Sequence, residues 1–192
     1  DIFRKRDYKA GDTKKAGSFV GTMTTDKEGK AVSAELPFDT YYVIEREASR
    51  GYLTEEKAHE VTLSAKNPAE RVFVEDVTSR EQVKRGDIQL AKFASDLDGE
   101  DERDRKRPLE GIRFSVKSVT TGAIVCNMVT DKSGFATTAD EAYPQGRLPY
   151  DTYVISEENA PKGLTPVKPF QVKVEEQGVT LGYILEDRNI TS

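Results

Sequence analysis

The chain of 192 residues carries one sequence pattern twice, and this repeat constrains the fold more than any single motif. Three blocks recur in the same order: 16–29 with 121–134, 36–51 with 148–163, and 71–77 with 182–188. Repeated blocks in a fixed order indicate two copies of one structural unit. We therefore predict one domain over residues 1–80 and a second over residues 84–192, joined at the polar segment 78–86.

Each copy is predicted to consist of β-strands. Short runs rich in Val, Ile, Tyr, Phe and Thr alternate with turn sequences such as DKEGK, DKSGF and EEQG, and this pattern is typical of strands joined by tight turns. Helical periodicity is weak throughout. Units of roughly 80 to 105 residues with turns at this spacing favour an all-β fold with two tandem antiparallel β-sandwich domains, similar to the immunoglobulin architecture.

Composition narrows the possible functions. Charged residues make up 33% of the chain and the net charge is -5, which argues against nucleic acid as a partner. Cys126 is the only cysteine and His59 the only histidine, so an intramolecular disulfide is excluded, and a Cys/His zinc site or a Ser-His-Asp site is not expected. We predict no metal and no cofactor. The sequence lacks an apolar run of about 18 residues, so no membrane insertion is expected in this segment.

Lys92 occupies an unusual place in the stretch GDIQLAKFASD. Side chains alternate along a strand, so Lys92 continues the apolar face formed by Ile88 and Leu90. Burying an unpaired ammonium group is costly. A buried Lys92 would therefore need a partner.

Two carboxylates end apolar faces in the same way. Glu157 follows Tyr153 and Ile155, and Asp187 closes the last predicted strand after Tyr183 and Leu185. The first and last strands of a sandwich are plausible neighbours. The pattern predicts either a buried cluster of one lysine and two carboxylates, or chance alternation in which all three side chains reach solvent.

The opening I-x-L-x-K, the block LPYDTYVISEENAPKG and the final YILED together closely resemble the Cna B-type, SpaA-like prealbumin-fold domains of Gram-positive surface adhesins and pilins. The resemblance covers essentially all of residues 86–189. It implies a spontaneous isopeptide bond in which Lys92 is the amine, Asp187 the acyl partner and Glu157 the proton shuttle. Asn189 is the alternative acyl partner. The rival interpretation is an ion cluster that never condenses, which would contribute little to stability.

The first copy keeps Glu45 and Asp76 at the two carboxylate positions, but the position of its lysine is ambiguous. Residues 2–10 align best with the second strand at 112–118, which leaves the first copy without its opening strand. Alternatively, IFRKRD is itself the opening strand and Lys5 is the amine that joins Asp76. On the first view, the first domain could accept a strand from elsewhere.

The resemblance implies a structural stalk or adhesin module of an extracellular protein, cell wall-anchored or pilus-associated. Its partners would be neighbouring repeats or pilus subunits, and crosslinking would be a single autocatalytic event rather than enzyme turnover. The alternative is a ligand-binding adhesin domain that recognises a host surface protein or glycan through loops such as 95–108 or 139–147.

Overall fold

The computed structural model describes residues 1–65, 82–95 and 106–189. The chain divides into two compact units, Asp1–Gln82 and Val83–Ser192, and this division falls inside the polar segment 78–86. Among the described residues the only helix is a 3-10 turn at Lys5–Asp7, and all other regular structure is β.

The first unit contains short strands. Their bounds are β1 Ile2–Arg4, β2 Phe19–Gly21, β3 Thr40–Ile44, β4 Tyr52–Leu53 and β5 Ala58–Thr62, with β6 Gln82–Val83 at the division between the units.

The second unit contains ten strands. Their bounds are β7 Arg85–Ser95, β8 Lys106–Pro108, β9 Arg113–Ser118, β10 Ile124–Val129, β11 Phe135–Thr137, β12 Leu148–Pro149, β13 Asp151–Glu157, β14 Leu164–Thr165, β15 Phe170–Val174 and β16 Thr180–Asn189.

The second unit is a sandwich of two sheets. One sheet has the order β10-β9-β13-β15, and the other has the order β11-β7-β16-β14 with β8 and β12 beside β7. All pairs are antiparallel except β7 with β16, which run parallel over nine residue pairs. One apolar core lies between the sheets and includes Ile88, Leu90, Phe114, Tyr153 and Ile155. The first and last strands of this unit are therefore direct neighbours.

The period-two pattern of β7 appears directly in its burial. Ile88, Leu90, Lys92 and Ala94 all point inward and are at most 1% exposed, while the residues between them are half-buried or exposed. Apolar burial on this scale drives the sheet to close over the core. Because Lys92 is in phase with its apolar neighbours, the same packing carries its ammonium group into the core.

The first unit repeats one of these sheets. Its order β2-β1-β3-β5 is the same as β10-β9-β13-β15. Ile2 lies opposite Val43, as Val116 lies opposite Ile155 at the aligned position. β1 therefore takes the place of the end of β9, the second strand of the other copy. Among the described residues of the first unit, no strand takes the place of β7.

Candidate functional site

The three charged residues singled out on the second copy meet inside its core. Lys92 comes from β7 and Asp187 from β16 in one sheet, while Glu157 comes from β13 in the facing sheet. All three side chains are fully buried. Lys92 Nζ donates a hydrogen bond to Glu157 Oε2 at 2.9 Å and a short one to Asp187 Oδ1. Chance alternation with solvent-exposed side chains is therefore wrong for this trio.

The hydrogen bonding of the trio is incomplete. Glu157 Oε1 and Asp187 Oδ2 are buried without a hydrogen-bond partner, and they are the only such side-chain atoms in the described part of the chain. A buried carboxylate with an unpaired oxygen keeps much of its desolvation penalty. The ion pairs alone therefore leave two oxygens whose polar requirements are unmet.

Local contacts hold both Lys92 and Glu157 in place. Glu157 Oε2 also accepts the backbone N–H of Val167 at 3.0 Å. The Phe114 ring centroid lies 5.9 Å from Lys92 Nζ, within range of a weak cation–π contact. These contacts orient the Glu157 carboxylate and the Lys92 ammonium group towards each other in the buried core.

Gly134 is a supporting residue that the sequence interpretation missed. It has a φ of 77°, and its carbonyl accepts the Lys92 backbone N–H at 2.7 Å. A Cβ at this position would collide with the Lys92 carbonyl oxygen and lie 3.1 Å from Pro108 Cβ. The signal was present in the repeat, because Gly29 occupies the aligned position of the first copy.

The first-copy candidates do not form an equivalent cluster among the described residues. Glu45 accepts the backbone N–H of Glu55 at 2.6 Å, in the same way that Glu157 accepts that of the residue ten positions later. Lys5 lies on the surface in an ion pair of 2.7 Å with Glu60 and is not brought to Glu45. Asp76 lies outside the described residues, and so does the side chain of Asn189.

The remaining candidates give no second reactive centre. Burial raises the pKa of the Cys126 thiol, which keeps it protonated and a poor nucleophile. His59 on β5 is hydrogen-bonded to Glu55, with 3.2 Å between His59 Nε2 and Glu55 Oε2. Within the described ranges, no group of His, Cys, Asp and Glu side chains is arranged to hold a metal ion. Most of the 95–108 loop lies outside those ranges.

Comparison with known proteins identifies the family. The model of the SpaA domain, described as a prealbumin-like fold domain, matches residues 5–78 and 97–189. The chain belongs to this SpaA prealbumin-like fold family. Family membership and the sheets described above confirm the predicted resemblance and the predicted all-β fold. No sequence among the curated proteins matches the chain.

Several solved structures align with the chain to different extents. The Bacillus anthracis TIE protein aligns with a TM-score of 0.64 and 22% identity, over 88% of this SpaA-type chain and 28% of that chain. The minor pilin GBS52 of Streptococcus agalactiae aligns with a TM-score of 0.47 and 20% identity, over 100% and 82% of the two chains. This SpaA-type chain thus spans just over a quarter of the Bacillus anthracis chain. None of its described helices is long and apolar enough to cross a membrane.

Proposed function

We propose that the chain is a structural module of an extracellular surface or pilus protein, and that its second unit ties its own first and last strands together through an isopeptide bond between Lys92 and Asp187. Membership of the SpaA prealbumin-like family supports the structural role, since the sequence resembles domains of Gram-positive adhesins and pilins. The observation that carries the crosslink is the fully buried trio with its two unpartnered carboxyl oxygens.

The chemistry begins with a proton transfer. Burial disfavours separated charges, so transfer of a proton from Lys92 to Asp187 gives a neutral amine beside a neutral carboxyl, with Glu157 left as the carboxylate base. Packing of β7 against β16 holds the amine at the carboxyl group, so proximity replaces substrate binding. The reacting pair needs no second molecule.

Bond formation follows at the Asp187 carboxyl carbon. Lys92 Nζ attacks this carbon, and Glu157 accepts the proton that the amine loses. Glu157 then donates that proton to the departing hydroxyl group, which leaves as water as the amide forms. The sequence is balanced, and Glu157 returns to the carboxylate form. Each chain reacts once, so the event is not enzymatic turnover.

Condensation also relieves the incomplete hydrogen bonding of the core. The reaction removes one oxygen of Asp187 as water, and it replaces two opposite charges with a neutral amide. The Glu157 carboxylate can then accept a hydrogen bond from the N–H of the new amide. The loop closed between Lys92 and Asp187 spans 95 residue positions, which corresponds to about 4.7 kcal/mol on the chain-entropy treatment of crosslinks.

The intact mass of the purified chain tests this proposal. We expect a mass lower than the sequence mass by one water, and a fragment containing both Lys92 and Asp187 after proteolysis. Lys92→Ala and Asp187→Ala should each restore the full mass, and Glu157→Ala should stop or greatly slow the loss because the proton carrier is gone. A loss of one ammonia would instead identify Asn189 as the acyl partner.

Matched controls come from the first unit. Lys5→Ala and Glu45→Ala remove a lysine and the aligned glutamate without touching the buried trio, so the loss of water should persist in both. A full sequence mass in the folded wild-type protein would refute the crosslink and leave a buried ion cluster in its place.

A further inference from the structure

The buried trio contains two carboxyl groups that Lys92 can reach, and proximity alone does not choose between them. Lys92 Nζ donates one hydrogen bond to Glu157 and another to Asp187. Both carboxyls are fully buried, and each has an oxygen without a hydrogen-bond partner. An amide bond to either group would release one water. A crosslink to Asp187 therefore needs a feature that distinguishes it from Glu157.

The two carboxyls differ in their hydrogen-bond donors. Glu157 Oε2 accepts the backbone N–H of Val167 at 3.0 Å in addition to the bond from Lys92. Among the described residues, the Asp187 carboxyl accepts only from Lys92. A hydrogen bond to an ionised carboxylate is roughly twice as strong as one to a neutral group. The Val167 N–H therefore favours Glu157 as the member of the pair that stays ionised.

The Val167 donor lies on a restrained segment. Val167 belongs to the connection between β14 and β15, with Pro166 directly before it and Pro169 two positions after it. Proline fixes its own φ and restricts the preceding residue to extended conformations. The Val167 side chain also packs against the core of the second unit. The N–H is thus held at Glu157 before any bond forms, as electrostatic preorganisation requires.

The first unit has the same tether without the two prolines. There the N–H of Glu55 bonds Glu45 Oε2 at 2.6 Å. Thr54 and Lys57 occupy the positions that align with the prolines. None of the described lysines of the first unit is buried. The restraint on the donor therefore accompanies the tether in the unit whose glutamate meets a buried lysine.

We propose that the backbone N–H of Val167 selects the acyl partner of the crosslink by directing the amide bond to Asp187. The inference rests on the crosslink proposed above. Because the N–H keeps Glu157 ionised, the proton of Lys92 passes to Asp187, and a neutral carboxyl is the better electrophile. Lys92 Nζ then bonds to Asp187 Cγ, the Cγ–OH bond breaks, and the hydroxyl leaves as water with the proton that Glu157 carries. Val167 acts through Glu157 and is a positioning residue.

The selection decides which parts of the sandwich become joined. Without the Val167 N–H, Glu157 can take the proton of Lys92, and Nζ can attack Glu157 Cδ with Asp187 as the base. That reaction also releases one water. Its product would join β7 to β13 in the facing sheet, whereas the bond to Asp187 joins β7 to β16 in the same sheet.

An ester at position 167 tests the proposal. Cell-free synthesis with the hydroxy-acid analogue of valine replaces the N–H with an oxygen and keeps the side chain. The intact mass, followed after translation is stopped, should show the loss of water about tenfold more slowly than in wild type. In wild type, Lys92 should be joined to tryptic peptide 174–188, which contains Asp187. In the ester, part of it should be joined to peptide 148–162, which contains Glu157.

Two substitutions at the same position separate the N–H from the side chain. Val167→Ala keeps the N–H, so its rate should stay within about twofold of wild type and its crosslinked peptide should be unchanged. Val167→Pro removes the N–H and should behave as the ester does. Circular dichroism establishes which chains are folded. The ester retains the valine side chain and tests the N–H even where the proline variant is unfolded.

Asp187→Asn distinguishes selection of the proton acceptor from structural support. The amide side chain is neutral in every state, so Lys92 can lose its proton only to Glu157, and ammonia leaves in place of water. The Val167 N–H opposes that transfer because it favours ionised Glu157. The ester should therefore leave the rate of ammonia loss unchanged or raise it. A tether that only supports the fold would slow both reactions.

The outcomes that overturn the proposal differ from those that overturn the crosslink. A wild-type chain of full sequence mass would refute the crosslink, and the role of Val167 with it. A wild-type bond to Asp187, combined with the same rate and the same crosslinked peptide in the ester, would refute only the role of Val167. Equal slowing of water loss and ammonia loss by the ester would also refute that role.

Discussion

The two units share several local hydrogen bonds, but their described strands differ. Both hold a glutamate by a backbone N–H ten residues later, and both bond a tyrosine hydroxyl to the carbonyl of the proline four residues earlier. Among the described residues, only the second unit has a lysine-bearing strand packed across these features, and only there do the aligned apolar positions form one continuous core. These glutamate and tyrosine hydrogen bonds therefore form within each copy, whereas the core of the second unit also depends on the long strand β7.

This difference also separates two kinds of buried charge. Glu157 lies in a fully buried core with a cation, while Glu45 is half-buried and has no cationic partner among the described residues. In the proposed crosslink the carboxylate position alone is not sufficient, because the reaction also needs the strand that excludes water and delivers the amine.

The largest expected effect comes from removing the amine. Lys92→Ala leaves two carboxylates in the core without a cation, and loss of one partner from a buried ion pair typically costs about 3–5 kcal/mol. We expect at least this loss in the urea unfolding free energy of the second unit. Lys5→Ala, which removes an exposed ion pair with Glu60 and a long contact with the Tyr42 ring, should change the unfolding free energy of the first unit far less. Similar losses in both variants would remove the distinction between the units.

The next effect concerns the paired glycines. Gly134→Ala adds a methyl group that collides with the Lys92 carbonyl, whereas Gly29→Ala meets open space. Both changes incur the cost of a positive φ, about 1–2 kcal/mol. Gly134→Ala should add about 1–3 kcal/mol of overpacking to that cost. Chemical denaturation of the two variants measures the difference in unfolding free energy. Equal losses would mean that β7 does not pack against Gly134.

A smaller and matched effect is expected for the two tyrosines. The hydroxyl of Tyr153 donates to the Pro149 carbonyl at 2.5 Å, and that of Tyr41 donates to the Pro37 carbonyl at 2.6 Å. Burial raises the pKa of both hydroxyls, so they stay protonated donors. Tyr153→Phe and Tyr41→Phe should each cost about 0.5–1.5 kcal/mol. Thermal unfolding of each variant tests whether this hydrogen bond contributes equally to the stability of the two units.

The smallest effect is a pH dependence of the second unit. Burial alone would raise the pKa of Asp151, but hydrogen bonds from the Ser118 and Thr120 hydroxyls outweigh it, and the pKa is lowered. Because the folded pKa lies below the unfolded value of about 3.9, this stabilisation is present above that pH and is lost as the pH falls through the folded pKa.

Asp151→Asn tests that dependence. The variant should be less stable than wild type at neutral pH, and the difference should shrink as the pH is lowered below about 4. Urea midpoints across this range measure the change. A constant difference at every pH would mean that the carboxylate contributes no charge-dependent stability.

Strand alternation predicted that Lys92 shares the face of Ile88 and Leu90, but it left open whether the charged trio is buried or reaches solvent. The structure shows that all three side chains are buried. The repeat likewise predicted two copies of one fold. Direct pairing of the first and last strands was foreseen, but their parallel direction was not, because alternation contains no information on strand direction.

Other parts of the site depend on tertiary contacts that a sequence does not display. The Val167 N–H that holds Glu157 comes from a segment with no distinctive pattern. Gly134 is read from sequence as a turn residue, and only the path of β7 explains why a side chain is excluded there. In the first unit, residues 2–4 are too short a run to show alternation, so only their pairing with β2 and β3 places them as a second strand.

The parallel pairing of β7 with β16 determines how the chain passes through the second unit. Asp87 lies beside Thr180 at one end of the pair, and Ser95 lies beside Arg188 at the other. The chain enters β7 at the first end and leaves β16 at the second, after a rise of about 30 Å along the strands. An antiparallel pair would return the chain to its starting end, whereas this arrangement advances it by the length of the sheet. Tension applied at the two ends would therefore run along the strands and load their hydrogen bonds in shear, all at once, rather than opening them one by one.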